Sequence, residues 1–325
     1  MQVEFHRVDW PYTIPFRIAY RASTVAETVQ VQLTDGPHVG RGEALGVSYR
    51  GETIDSILAD LVKIKDALCA GVPREELASL LPAGGARNAV DCALWDLEAK
   101  RMGMRAWELA GFPSLKRIAT DYTIGLDTPK ATAEIAASSW KYPILKLKLD
   151  GKEDLERVLA VRSARPDAEI IVDANQAWTD RQLRDWPPRF AQLGVKLIEQ
   201  PLPAGGDHAL LGCEHPIPLC ADESCQTTES LAELAGKYEY INIKLDKTGG
   251  LTEALRLARE AQRQGYKLMV GCMAGSSLSM APALIVAQLC DFADLDGPLL
   301  AVRDISPAIE YNGHWMNPPE RGVWG

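Results

Sequence analysis

The amino-acid sequence predicts an α/β protein: an N-terminal α+β unit followed by a parallel β/α barrel of eight strands. The first observation is length. The chain has 325 residues, more than one ordinary domain of about 100–200 residues needs. The second is texture. Beyond residue 119, short apolar runs alternate with helical stretches, most of them 22–27 residues apart, the length of a β-loop-α-loop unit. The third is composition. Apolar residues make up 46% and charged residues 24%, which excludes a disordered chain, a collagen-like chain and a coiled coil. The net charge of −9 argues against a nucleic-acid partner, which would want a basic face. The seven cysteines are odd in number with no CxxC pair, so neither a disulfide framework nor a zinc ribbon is expected. The N-terminus carries no basic segment followed by an apolar one, and the apolar stretch 278–290 is short and broken by Pro282. The expectation is a soluble cytoplasmic protein with no membrane partner.

Residues 1–46 read as strands. Thr28 to Leu33 alternates polar and apolar, and Asp35-Gly36 marks a turn. Residues 52–69 turn helical, with Ile54, Ile57, Leu58, Leu61, Ile64 and Leu68 on one stripe. A second helix covers 86–102, with Ala89, Cys92, Ala93 and Leu97 on one face. A short third helix, Trp107 to Ala110, stops at Gly111 with Pro113 beyond it. The strand candidates that follow are 119–124, 144–149, 169–173, 195–199, 217–222, 240–244, 267–271 and 292–296. The expected division is an α+β domain over 1–115, a barrel over 116–300, and a segment over 301–325 that returns to the first domain.

The C-terminal ends of barrel strands supply catalytic groups. Here they read Lys146-Leu-Lys148, Asp173, Glu199, Asp222, Lys244 and Asp294-Leu-Asp296. Lys146 and Lys148 share one strand face. In a sheet covered on both sides they point into the barrel and require compensating charge. Asp173, Glu199 and Asp222 close three consecutive runs and converge on one mouth. Three carboxylates so placed repel unless a cation sits among them, and a set without His or Cys suits Mg²⁺ better than zinc. Lys244 flanks the other side. Lysine is a weak base at its free pKa of about 10.4, but a nearby metal and a second lysine bring it toward the working range of about 7–8. Two bases flanking one carbon can lift a proton from one face and return it to the other, a racemisation or epimerisation.

The stretches Lys-Leu-Lys148, Val-Asp-Ala-Asn175, Glu-Gln-Pro201, Ala-Asp-Glu-Ser224 and Asn-Ile-Lys-Leu-Asp-Lys-Thr-Gly-Gly250 resemble the enolase superfamily, muconate-lactonizing subgroup. Residues 81–97 and Phe292-Ala-Asp-Leu-Asp-Gly-Pro298 narrow the likeness to dipeptide epimerases. The resemblance implies a modified (β/α)8 TIM-like barrel of the (β/α)7β type, with the N-terminal domain capping its mouth. It implies one Mg²⁺ per subunit on Asp173, Glu199 and Asp222, and acid/base roles for Lys148 and Lys244, acting through a metal-stabilised enolate. Lys146 then helps neutralise the substrate carboxylate, and Asp294 and Asp296 grip the α-ammonium of a small dipeptide, L-Ala-D/L-Glu. Thr123 and Cys272 are further substrate-contact candidates. Loops near 17–25 and 45–52 would set specificity, with Arg21 the candidate for a glutamate side chain and Arg17 and Arg50 behind it. Murein peptide recycling is the setting this implies, and a homo-oligomer is compatible with it. The alternatives are a cycloisomerase, an o-succinylbenzoate synthase or an N-acylamino acid racemase of the same subgroup, and a non-catalytic binding protein on the same barrel.

Overall fold

The computed structural model describes residues 1–325. Three antiparallel strands open the chain: β1 (Gln2–Ile18), β2 (Arg21–Asp35) and β3 (His38–Ala44), paired in that order. On β2, Val29, Val31 and Leu33 are buried while Gln30 and Gln32 are half-buried, as the alternation predicts. The β1–β2 pairing slips between Pro11 and Phe16. Pro11 and Pro15 have no N–H to offer, which confines them to an edge strand and its bulge. On β3, a Cβ at Gly42 would meet the Ala89 carbonyl at 2.1 Å; the absence of a side chain lets the helix Gly85–Met102 lie directly on the sheet.

That helix is buried nearly all round, which is how a helix between two layers reads. Its Ala89, Ala93 and Leu97 join the apolar cluster of the N-terminal unit, and its Cys92, Trp95 and Ala99 join the barrel cluster. The single helix expected over 52–69 is two, Ile54–Lys63 and Lys65–Ala70, jointed at Ile64. The joint keeps Ile57, Leu61, Ile64 and Leu68 in one cluster. Thr53 caps the first, accepting the Ser56 N–H through its side chain.

Strand β4 (Ile118–Ala119) precedes the barrel. The barrel strands are β5 (Tyr122–Ile124), β6 (Ile144–Lys148), β7 (Glu169–Asp173), β8 (Val195–Glu199), β9 (Leu219–Ala221), β10 (Tyr240–Lys244), β11 (Lys267–Gly271) and β12 (Phe292–Asp294), parallel neighbours in chain order. The Asp121 N–H donates to the Ala293 carbonyl at 2.9 Å, joining the first strand to the last.

Three strand boundaries differ from expectation by more than one residue. The run 119–124 breaks at Thr120-Asp121, because the Thr120 N–H turns to the His314 carbonyl and its hydroxyl accepts from Leu295. The piece before the break, β4, pairs instead with β14 (Trp315–Met316), which forms a hairpin with β13 (Tyr311–Asn312). The run 217–222 shrinks to 219–221, since Pro216 and Pro218 cannot donate to a ladder. The last strand ends at Asp294, and Asp296 lies beyond it as the N-cap of a short helix, Gly297–Leu300.

Trp324 is fully buried, its indole N–H shared between the Arg41 and Cys92 carbonyls, so the chain's last residues pack against the N-terminal unit. No helix is long and apolar enough to cross a membrane. Inside the barrel, Ile171, Leu197, Cys220, Tyr240 and Met269 form a small apolar floor. Every charged residue predicted at a strand end lies at or above that level.

Candidate active site

On three successive strands the inward parity carries an apolar floor residue and, two residues on, a charged one: Ile171 and Asp173, Leu197 and Glu199, Cys220 and Asp222. Carboxylate oxygens of Asp173, Glu199 and Asp222 all lie within 4.8 Å of one another, and all three residues are buried. Lys146, fully buried, sits 2.6 Å from Asp294 Oδ2, 2.7 Å from Glu199 Oε2 and 3.7 Å from Asp173 Oδ2. Burial opposes its charge, but Asp294 and Glu199 outweigh burial and raise its pKa well above the usual lysine value. Lys148 Nζ lies 2.6 Å from Asp173 Oδ2. Lys244 Nζ lies 2.7 Å from Asp222 Oδ2 and 4.0 Å from Glu199 Oε1.

Burial would raise the Asp222 carboxyl, yet Lys244 and Lys247 outweigh it and hold it well below the carboxylate range. Burial and then Asp173 push Glu199 up. For Asp173 burial is opposed by Lys148 and Lys146, and the net shift is downward.

Asp294 and Asp296 meet at Thr123. The Thr123 N–H donates to Asp296 Oδ2 at 2.6 Å, and its hydroxyl to Asp294 Oδ1 at 3.3 Å. Burial and the neighbouring Asp294 push Asp296 up to about 7. Asp294 goes the other way, because Lys146 overcomes the effect of burial. Cys272 lies against this pair, its thiol pushed up by burial.

One cavity opens among these groups. Thr123, Lys148, Asp222, Lys244, Cys272, Asp294 and Asp296 line it from the barrel, and Phe16, Ile18, Tyr20 and Tyr49 from the N-terminal unit. Asp173, Glu199 and Lys146 are packed beside it, fully buried. Arg21 is not among the lining residues. It is exposed at the β1–β2 turn and lines a separate open cleft with Arg7 and Glu27, a cleft that shares Tyr20 and Tyr49 with the cavity. Arg17 points to Asp127 at 3.4 Å, and Arg50 donates to Gln226 at 3.3 Å.

Several residues at the site escaped the sequence reading. Lys247, fully buried, lies 2.6 Å from Asp222 Oδ1 and donates to the Asn242 carbonyl at 2.8 Å. Asn242 donates to Glu199 Oε1 at 2.7 Å; its position two residues before Lys244 was the available signal. Gln200 accepts from the Asp222 and Ser224 N–H groups and donates to the Tyr238 hydroxyl. Burial and Asp222 push Glu223, which also lines the cavity, up to about 8. Gly271 makes room for the amine-bearing side chain beside it: a Cβ there would come within 3.0 Å of Lys244 Cε and 2.8 Å of Asn242 Oδ1. Asn175, Gln200 and Ala274 hold positive φ of 44°, 34° and 84°, so strained backbone clusters just past the strand ends.

A capped barrel of this kind, its catalytic charges delivered by successive strand ends to one enclosed mouth, defines a barrel enzyme acting on a small polar molecule. The chain belongs to the enolase superfamily. Residues 130–307 match the family described as Enolase C-terminal domain-like, and residues 1–111 the mandelate racemase/muconate lactonizing enzyme N-terminal domain. The chain is 44% identical over 304 residues to the L-Ala-D/L-Glu epimerase of Escherichia coli strain K12, covering 93% of this chain and 95% of that one. It is 46% identical over 250 residues to an N-acetyl-D-glutamate racemase of a Pseudoalteromonas species, covering 77% and 79%. Among solved structures it resembles an enolase family member from Agrobacterium tumefaciens with homology to dipeptide epimerases, described with bound sodium and L-Ala-L-Glu. The TM-score is 0.97 at 45% identity, covering 99% of each chain.

Proposed function

We propose that this protein is a Mg²⁺-dependent dipeptide epimerase, an isomerase that moves the α-proton of a dipeptide's C-terminal residue between faces, with L-Ala-D/L-Glu as the substrate pair. One observation carries the reading. Lys148 ends β6 and Lys244 ends β10, four strands apart in a ring of eight, so the two amines approach one cavity from opposite walls. That is the arrangement 1,1-proton transfer needs, and the likeness to dipeptide epimerases supports it.

Three buried carboxylates converging without a His or Cys fit a hard divalent cation. Asp173, Glu199 and Asp222 would hold Mg²⁺, which when bound supplies electrostatic stabilisation to negative charge developing on the substrate carboxylate. Lys148 takes or returns the proton of the (R)-epimer, and Lys244 that of the (S)-epimer. Lys146 offsets the carboxylate charge from below. Asp294 and Asp296 hold the substrate's ammonium group, and Thr123 and Cys272 wall that end of the cavity. Arg21, in the cleft that adjoins the cavity at Tyr20, is assigned to the second residue's side-chain carboxylate. We divide the chain into a capping domain (1–115), a barrel (116–300) and a returning segment (301–325). We place the reaction in the cytoplasm, in recycling of cell-wall peptides.

The test is single-sided exchange in deuterated buffer. Lys148→Ala should still exchange the α-proton of the (S)-epimer and fail to epimerise, and Lys244→Ala should do the reverse. Equal loss of exchange for both epimers in each folded variant would refute the two-base assignment. The likeness to an N-acetyl-D-glutamate racemase favours a second reading, an N-acylamino acid racemase. Efficient turnover of N-acetylglutamate, with free dipeptides ignored, would put it first.

A further inference from the structure

Asp121 has no role in the chemistry above, yet it is among the most deeply buried carboxyls of the barrel. It is 1% exposed, and neither side-chain oxygen has a hydrogen-bond donor. Its position is fixed by the backbone bond to Ala293 that joins the first and last strands. Two residues before Thr123, it shares that residue's inward parity. The charged groups facing it are Asp294, Asp296 and Lys146. Lys146 is committed elsewhere, to Asp294 and Glu199.

An ionised carboxylate here would be buried, without a donor and beside a second carboxylate, which is costly on each count. A neutral carboxylic acid has one O–H to give, and the Asp294 side chain is within hydrogen-bonding reach of it. We propose that Asp121 is a neutral carboxylic acid whose O–H donates to Asp294, and that this bond positions Asp294 for the substrate's ammonium group. The second half rests on the ammonium-binding role proposed above. With Lys146 on Oδ2 and Thr123 on Oδ1, the Asp121 O–H is a third restraint on Asp294. A further cation in its place would hold Asp294 equally well but would quench the charge that the substrate must find. A neutral donor fixes the geometry and leaves the charge.

The test uses the full-length protein with Asp121→Asn, which keeps an N–H donor, and Asp121→Leu, which keeps none. The infrared difference spectrum near neutral pH, wild type minus Asp121→Asn, should show the carbonyl stretch of a protonated carboxylic acid, over and above the Asp296 and Glu223 contributions common to both proteins. Asp121→Asn should keep KM for a dipeptide close to the wild-type value. Asp121→Leu should raise KM by about 10- to 100-fold, the loss expected for a hydrogen bond to a charged group, while kcat holds. The ammonium is gripped alike in ground and transition state, so its loss shows in KM. The proposal is overturned if no band depends on Asp121, if Asp121→Asn raises KM as much as Asp121→Leu, or if Asp121→Leu lowers kcat and leaves KM alone. Should Asp121→Leu not fold, the band and the Asp121→Asn kinetics still decide. Absence of any dipeptide turnover in the wild type would overturn the reading of the site and the ammonium half with it, while the band would still decide the protonation of Asp121.

Discussion

Asp296 should give the substrate affinity a pH dependence that a single substitution removes. Its carboxyl is buried, sits beside Asp294, and is pushed up to about 7. Only the ionised form can hold an ammonium group, so binding strengthens as pH rises through that value and weakens below it. With a pKa of about 7 the ionised fraction climbs from about one-tenth at pH 6 to about nine-tenths at pH 8, which by itself favours binding about tenfold over that interval. The substrate's own α-amine, with a free pKa of about 7.7–8.0, is already half or more neutral at pH 8, so the net fall in KM between pH 6 and 8 should be about three- to fivefold. Asp296→Asn retains an oxygen for the Thr123 N–H, now 2.6 Å away, so the fold should survive. It cannot ionise, so KM should no longer fall between pH 6 and 8 and should instead rise about two- to threefold as the substrate amine loses its charge. Breaking a buried ion pair costs about 3–5 kcal/mol. Discounted for a partly wet mouth, kcat/KM at pH 8 should drop by about 2–4 kcal/mol, or 30- to 1,000-fold. The assay is the initial rate of deuterium incorporation at the α-carbon, read by mass, across that pH range. An Asp296→Asn profile parallel to the wild type would refute the role of Asp296. So would equal wild-type efficiency on free and N-acetylated dipeptides.

Glu199→Gln should weaken Mg²⁺ binding, measured by calorimetry, and lower activity in parallel; full turnover by metal-free wild type would contradict the metal assignment. Gly271→Ala should cut activity sharply with only about 1–3 kcal/mol lost in stability, because the added methyl strikes Lys244 and Asn242 rather than the apolar floor; unchanged kcat would show that the Lys244 amine tolerates the shift. Asp246 accepts the Leu45 and Gly46 N–H groups, and burial pushes its carboxyl up to about 6 from 3.8. A raised carboxyl stabilises the fold fully below its unfolded pKa, and that stabilisation is lost as pH rises through the folded value. Relative to Asp246→Asn, the wild type should therefore lose up to about 3 kcal/mol between pH 4 and 7, read as a shrinking Tm difference.

What the sequence made legible was whatever depends on strand period alone. A run ending in Asp173, Glu199 or Asp222 points that carboxylate into the barrel once the sheet is parallel and covered, and alternation then places Lys146 with Lys148. The last strand was expected to run over 292–296 and carry both Asp294 and Asp296, yet it stops at Asp294 and a turn carries Asp296 to Thr123. Local backbone bonding overrode the period there, and the period has no means of showing it. Lys247 was hidden for the same reason, since it reaches Asp222 from a short helix past the strand end. The direction of Arg21 depends on a hairpin whose register slips between Pro11 and Phe16, and a slip of that kind re-aims every side chain beyond it.

The apolar floor beneath the charged layer makes the site electrically one-sided. Ile171, Leu197, Cys220, Tyr240 and Met269 close the barrel below the carboxylates and lysines, leaving no room for a polarisable medium on that side. Field from buried charge is weakly screened through hydrocarbon and strongly screened through water, so the lines it sends out are gathered toward the open mouth. The barrel thus works as a lens as well as a scaffold. An ion or a zwitterion entering the mouth meets charges of both signs from several strands, lysines and carboxylates in near balance, ordered along a single axis.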